Sequence, residues 1–175
     1  MTKALIVVDF QNDFVSGTLG FEKALSLEEK IADKIKEYRD ADYDIIFTYD
    51  THYDNYLSLQ EGSNLPVKHC IKGTVGWELF GIIKLLKNPE DKCFEKNTFG
   101  SIELAKYLEK HNYDKIELVG LVSNICVISN AVLAKSALPE AEIIVDAQCT
   151  ASFDDSMNEK VLDIMKGLQI NVINR

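Results

Sequence analysis

Gly120-Leu121-Val122-Ser123-Asn124-Ile125-Cys126-Val127 marks the point where the apolar run Ile116–Leu121 gives way to Asn124–Ser136, rich in small and apolar residues. The first run reads as a strand and the second as a buried helix, so one cysteine is delivered to a strand-to-helix junction. A thiol there meets the positive end of the helix dipole and free backbone N–H groups. Both favour the thiolate, the nucleophilic form. A buried structural cysteine fits the same position. Which role applies depends on what the rest of the chain brings to that junction.

Working outward, short β-rich runs alternate with helical patterns. Ala4–Val8, Asp44–Thr48, Cys93–Lys96, Ala141–Asp146 and Ile170–Ile173 read as strands. Leu27–Arg39 carries Ile31, Ile35 and Tyr38 at helical spacing, with Glu28 and Glu29 in its first turn. Ser101–His111 reads as a helix with Ser101 at its N-cap, and Ser156–Leu168 as another. After the strand Asp44–Thr48 lies a long irregular stretch, residues 53–88, with a short helix expected near Gly76–Leu86. A connection that long inside one domain is more often functional than idle. The alternation predicts one domain over residues 1–175, built on a parallel sheet with helices on both faces. In such sheets sites form at the carboxyl ends of the strands. Asp9, Asp50, Lys96 and Val122–Cys126 all fall there.

The composition fits an ordinary globular domain: 46% of the 175 residues are hydrophobic and 27% charged. A net charge of −9 with no Lys/Arg cluster argues against nucleic acid as a partner. No apolar run approaches the ~18 residues of a membrane span, and Ala4–Val8 is too short for a secretion signal. Cys70, Cys93, Cys126 and Cys149 are widely spaced, which predicts reduced thiols in a cytoplasmic protein.

Chemistry-bearing residues cluster at the strand ends. Asp9 closes the first strand before Gln11-Asn12-Asp13-Phe14, as a general base for a thiol or as a turn cap. Lys96 either keeps such an acid ionised and adds positive potential, or is a solvated loop lysine. In Asp50-Thr51-His52 the acid and the imidazole share one side of an extended segment, and His69 lies further along. Two histidines and a carboxylate suit Zn²⁺, Fe²⁺ or Mn²⁺, although an Asp-x-His pair also arises by chance. The third histidine, His111, ends a helix, where a structural role is expected. Cys93 reads as core, Cys149 lacks acid and base neighbours, and Cys70 is expected to face away from His69.

In order along the chain, Val8-Asp9-Phe10-Gln11-Asn12-Asp13-Phe14, Asp50-x-His52, His69-Cys70-x-x-Gly73-Thr74, Lys96 and Gly120–Val127 resemble the isochorismatase-like cysteine hydrolases. Within that superfamily the pattern is most similar to the nicotinamidase/pyrazinamidase branch. The resemblance implies a three-layer α/β/α sandwich with a mostly parallel Rossmann-like sheet. It implies an Asp9–Lys96–Cys126 catalytic triad and a divalent metal, zinc foremost and iron or manganese as alternatives, on Asp50, His52 and His69. It further implies a cis peptide between Leu121 and Val122, and an oxyanion hole from the backbone N–H groups of Val122 and Cys126. Phe14, Leu121 and Val122 would contact the substrate, a small amide such as nicotinamide or pyrazinamide, in a homo-oligomer.

Three departures from the branch concern the ring-binding region. Leu65-Pro66 stands where nicotinamidases usually carry Trp-Pro. The segment Lys96–Ser101 has the shorter form of other superfamily members. Asn124 and Ile125 replace acidic and aromatic residues before the cysteine. Trp77, the single tryptophan, is the substitute aromatic wall these departures suggest. Two alternatives share the sequence: a metal-free amidohydrolase of carbamoyl or ureido compounds, and a non-catalytic metabolite-binding protein on the same fold.

Overall fold

The computed structural model describes residues 1–175. In chain order the elements are β1 (Lys3–Val8), α1 (Asn12–Val15), α2 (Glu22–Leu25), α3 (Glu28–Asp40), β2 (Asp44–Asp50), α4 (Gln60–Asn64), α5 (Gly81–Leu86), β3 (Lys92–Lys96), α6 (Ile102–His111), β4 (Lys115–Leu121), α7 (Ile128–Ala137), β5 (Glu142–Ala151), α8 (Asp155–Gly167) and β6 (Asn171–Ile173). The six strands form one parallel sheet in the order β3-β2-β1-β4-β5-β6. The order reverses between β1 and β4, which opens a crevice at their carboxyl ends.

Alternation along β1 fixes the two cores. Leu5 and Val7 join α3 and α5 through Ile31, Ile35 and Ile83, while Ala4, Ile6 and Val8 join α6, α7 and α8 through Leu104, Ala131 and Leu162. The cores are nearly equal, at 22 and 21 residues, so the sheet is the central layer of an α/β/α sandwich. Each fully buried aliphatic side chain contributes roughly 1.5–3 kcal/mol. No helix is long and apolar enough to cross a membrane.

Several boundaries differ from the sequence reading. The expected helix from Asn124 begins at Ile128, because Ser123–Val127 forms a single π-helical turn. Side chains of the next helical turn hold it: Ser129 Oγ donates to Ile125 O at 2.7 Å and Asn130 Nδ2 to Cys126 O at 2.8 Å. The helix expected near Gly76–Leu86 is split into a 3₁₀ turn, Val75–Trp77, and α5, which opens at Gly81 with φ +47°. β5 continues to Ala151, where Thr150 and Ala151 pair with Gly120 and Leu121. Cys93 was expected in the core and is exposed, because β3 is the sheet edge. Cys70 and Cys149 are buried apolar packing.

Candidate active site

Four strand ends deliver the site. Asp9 follows β1, Asp50 ends β2, Lys96 ends β3, and Cys126 sits in the π-turn after β4. Gly120 permits this approach. Its φ is +110°, and a Cβ there would lie 2.1 Å from Val8 O, so only glycine lets β4 pass β1 so closely. The peptide between Leu121 and Val122 is cis. Asn130 ties the cysteine turn to the loop after Lys96, accepting from Ser101 N and donating to Phe99 O as well as Cys126 O.

Lys96 Nζ lies 2.6 Å from Asp9 Oδ2, 3.3 Å from Asp50 Oδ1 and 3.5 Å from Cys126 Sγ, and donates to Thr98 O at 3.0 Å. All four side chains are buried. Burial opposes the Lys96 charge, but Asp9, Cys126 and Asp50 hold its pKa well above the ordinary range. Burial pushes the Asp9 carboxyl up, against the pull of Lys96. The same burial drives the Cys126 thiol well above its usual value, and Lys96 only partly offsets it. The helix terminus expected to favour the thiolate is thus opposed by burial. Desolvation outweighs the helix terminus, so the thiol is favoured over the thiolate.

Beside this trio, Asp50 Oδ2 lies 3.0 Å from His52 Nε2 and 3.3 Å from His69 Nε2. Glu61, on α4, brings Oε1 within 3.5 Å of His52 Nε2 and 3.9 Å of His69 Nε2. These four donor atoms lie within 4.8 Å of one another. His69 Nδ1 bonds Val67 O at 2.8 Å, which fixes the tautomer and leaves Nε2 to ligate. Burial works against the Asp50 charge, but Lys96 and the two imidazoles hold its carboxyl well below the usual range. Two imidazole nitrogens and two carboxylate oxygens converging in this way fit a divalent cation.

A cavity of about 490 Å³ connects both groups. Asp50, Glu61, His69 and Cys126 line it together with Phe14, Val122 and Ile125. Phe99, Phe153, Leu19 and Leu65 add to its apolar lining. The Phe14 ring lies 5.6 Å from that of His69.

Asp9, Lys96, Cys126, Val122, Phe14, Asp50, His52 and His69 are thus brought together as the motifs suggested. Two expected contacts are not. The Leu121 side chain is fully buried in the core and does not line the cavity. Trp77 packs on Tyr49 and donates Nε1 to Thr51 Oγ1 at 2.9 Å, outside the lining, so the aromatic walls are phenylalanines. His111 accordingly stacks on Tyr107 and bonds its carbonyl. Glu61, Phe99, Phe153 and Thr48 escaped the sequence reading. Only Thr48 left a signal, as it opens the period-two series Thr48, Asp50, His52 that runs along the end of β2 and just beyond it.

This fold and site define a member of the isochorismatase domain family, whose profile matches residues 3–175, and the chain belongs to that family. It is similar to the nicotinamidase of Saccharomyces cerevisiae, at 29% identity across 99% of this chain and 100% of that protein. The nicotinamidase/pyrazinamidase of Mycobacterium tuberculosis is 25% identical across 89% of this chain and 90% of that protein. The crystal structure of a nicotinamidase from Bacillus subtilis superposes with a TM-score of 0.87 at 27% identity, covering 98% and 99% of the two chains.

Proposed function

We propose that this chain is a cysteine amidohydrolase, a single isochorismatase-like domain over residues 1–175, that converts nicotinamide to nicotinate and ammonia and accepts pyrazinamide in the same way. The observation that carries this reading is the buried contact of Lys96 with both Asp9 and Cys126, the latter of which lines a largely apolar cavity. The similarity to nicotinamidases over nearly the whole chain supports the substrate.

The catalytic sequence assigned to these residues begins with Asp9 taking the Cys126 thiol proton while Lys96 keeps the buried acid ionised. The sulfur attacks the carboxamide carbon. The backbone N–H groups of Val122 and Cys126 receive the oxyanion. Asp9 returns the proton to the nitrogen as the C–N bond breaks, and ammonia departs from a thioester. Water, deprotonated by Asp9, then breaks the C–S bond, giving the acid and restoring the thiol. Phe14, Ile125 and Val122 pack the ring and exclude bulk water.

Asp50, His52 and His69 would hold a divalent ion, zinc foremost or iron or manganese, with Glu61 as a fourth donor. When bound, that ion supplies a coordination position for the ring nitrogen of the substrate. A metal-free carbamoyl or ureido amidohydrolase has no use for four converging donors, and a binding protein has none for the buried trio. Four unpaired cysteines support a cytoplasmic setting, and a homo-oligomer is the assembly proposed.

The test is release of ammonia and nicotinate from nicotinamide in equal amounts by the purified protein, repeated after chelation and with Cys126→Ala. Release that both treatments abolish is the expected outcome. Release that survives Cys126→Ala would contradict the assignment.

A further inference from the structure

Thr48 lies on β2 in register with Val8, two residues before Asp50, and is fully buried. It meets Asp9 at both backbone and side chain. The Asp9 N–H donates to Thr48 O at 3.3 Å and to Thr48 Oγ1 at 3.2 Å, and Thr48 Oγ1 lies 2.6 Å from Asp9 Oδ1. The direction of each bond follows from the groups. A backbone N–H only donates and a carboxylate only accepts, so the single hydroxyl proton points at Oδ1. Asp9 has φ +45°, in the left-handed region that non-glycine residues seldom occupy. Thr48 grips the residue where its backbone takes that turn.

The two oxygens of Asp9 therefore differ. Oδ1 is closed by Thr48. Oδ2 is buried and turned away from Thr48, towards Lys96. Lys96 Nζ approaches Oδ2 to 2.6 Å as an ion pair. The same ammonium lies 3.5 Å from Cys126 Sγ, so Oδ2 is the carboxylate oxygen on the side of the thiol.

We propose that Thr48 is a positioning residue that divides the labour of the Asp9 carboxylate: it holds Oδ1, so that Oδ2 is the atom that takes and returns the thiol proton. The proposal rests on the cysteine amidohydrolase reading. The proton passes from Sγ to Oδ2 and the sulfur electron pair forms the C–S bond. The same proton then leaves with ammonia as the C–N bond breaks. Thr48 itself neither gains nor loses a proton.

Thr48→Val keeps the shape and removes the hydroxyl, and Thr48→Ser keeps the hydroxyl. The holoenzymes are compared for kcat and KM on nicotinamide, for the rate at which iodoacetamide alkylates Cys126 as resolved by peptide mass spectrometry, and for thermal unfolding. Thr48→Val is expected to lower kcat roughly 10- to 100-fold, the size of one lost hydrogen bond to a charged group. KM is expected to stay within about twofold. Cys126 alkylation slows in step, and Thr48→Ser restores most of both. A folded Thr48→Val with wild-type kcat and alkylation overturns the proposal, as does a folded Thr48→Ser that loses as much as the valine variant. Should the valine variant not fold, Thr48→Ala against Thr48→Ser carries the same comparison. If the wild type releases no ammonia from nicotinamide, the amidase reading fails, while the alkylation comparison still decides the role of Thr48.

Discussion

The Asp50 carboxylate reaches the Lys96 ammonium through Oδ1 at 3.3 Å while its Oδ2 is turned to His52 and His69, at 3.0 and 3.3 Å. One side chain thus joins the buried Asp9–Lys96–Cys126 trio to the cluster of His52, His69 and Glu61. Gln11 holds it in that posture: its side-chain amide accepts from Asp50 N at 2.8 Å and donates to Asp50 O at 2.9 Å.

Replacing Asp50 should disturb both halves at once. Asp50→Asn is expected to lower metal affinity by more than the roughly 10- to 100-fold typical of losing a partner that only orients a ligand. It should also speed Cys126 alkylation in the metal-free protein, because the Asp50 charge that pushes the thiol pKa up is removed. Metal content after dialysis and the alkylation rate read the two effects separately.

Glu61 touches only the metal side. Glu61→Gln should weaken metal retention by about tenfold, with metal-free Cys126 alkylation unchanged. Equilibrium dialysis with Zn²⁺ measures the first and peptide mass spectrometry the second. Unchanged Zn²⁺ affinity would remove Glu61 from the donor set.

The pH profile follows from Asp9. It acts as a base only when ionised, and burial raises its pKa. The acid limb of kcat/KM should therefore lie above the ordinary aspartate value of about 3.9, with activity falling as pH drops through it. Asp9→Asn should abolish the limb along with the activity.

Gly120→Ala tests the close passage of β4 over β1. A methyl group 2.1 Å from Val8 O, at φ +110°, forces the backbone to shift. The expected cost is at least about 1–3 kcal/mol of stability, read by urea unfolding, together with slower turnover because Cys126 moves.

The strands and their order of chemistry were legible in the sequence because a parallel sheet writes itself as buried apolar runs alternating with amphipathic helices. The residues that end those runs, Asp9, Asp50 and Lys96, were equally visible. The cavity was less so. Glu61 sits in a short helix of the long loop, where no periodicity marks it, and Phe153 reaches the cavity from beyond β5. The polar residues Asp146, Gln148 and Thr150 hid the second half of β5. The helix terminus beside Cys126 was visible in the sequence, whereas the burial that opposes its pull on the thiol was not.

The central claim is a thioester on Cys126, and partitioning with hydroxylamine tests it most directly. With nicotinamide as substrate, rising hydroxylamine should divert product from nicotinate to nicotinohydroxamate, because a stronger nucleophile intercepts the acyl-enzyme. Ammonia release should continue, and both products should vanish in Cys126→Ala. Steady nicotinate formation with no hydroxamate at any hydroxylamine concentration would mean that water attacks the amide directly, and the covalent account would be wrong.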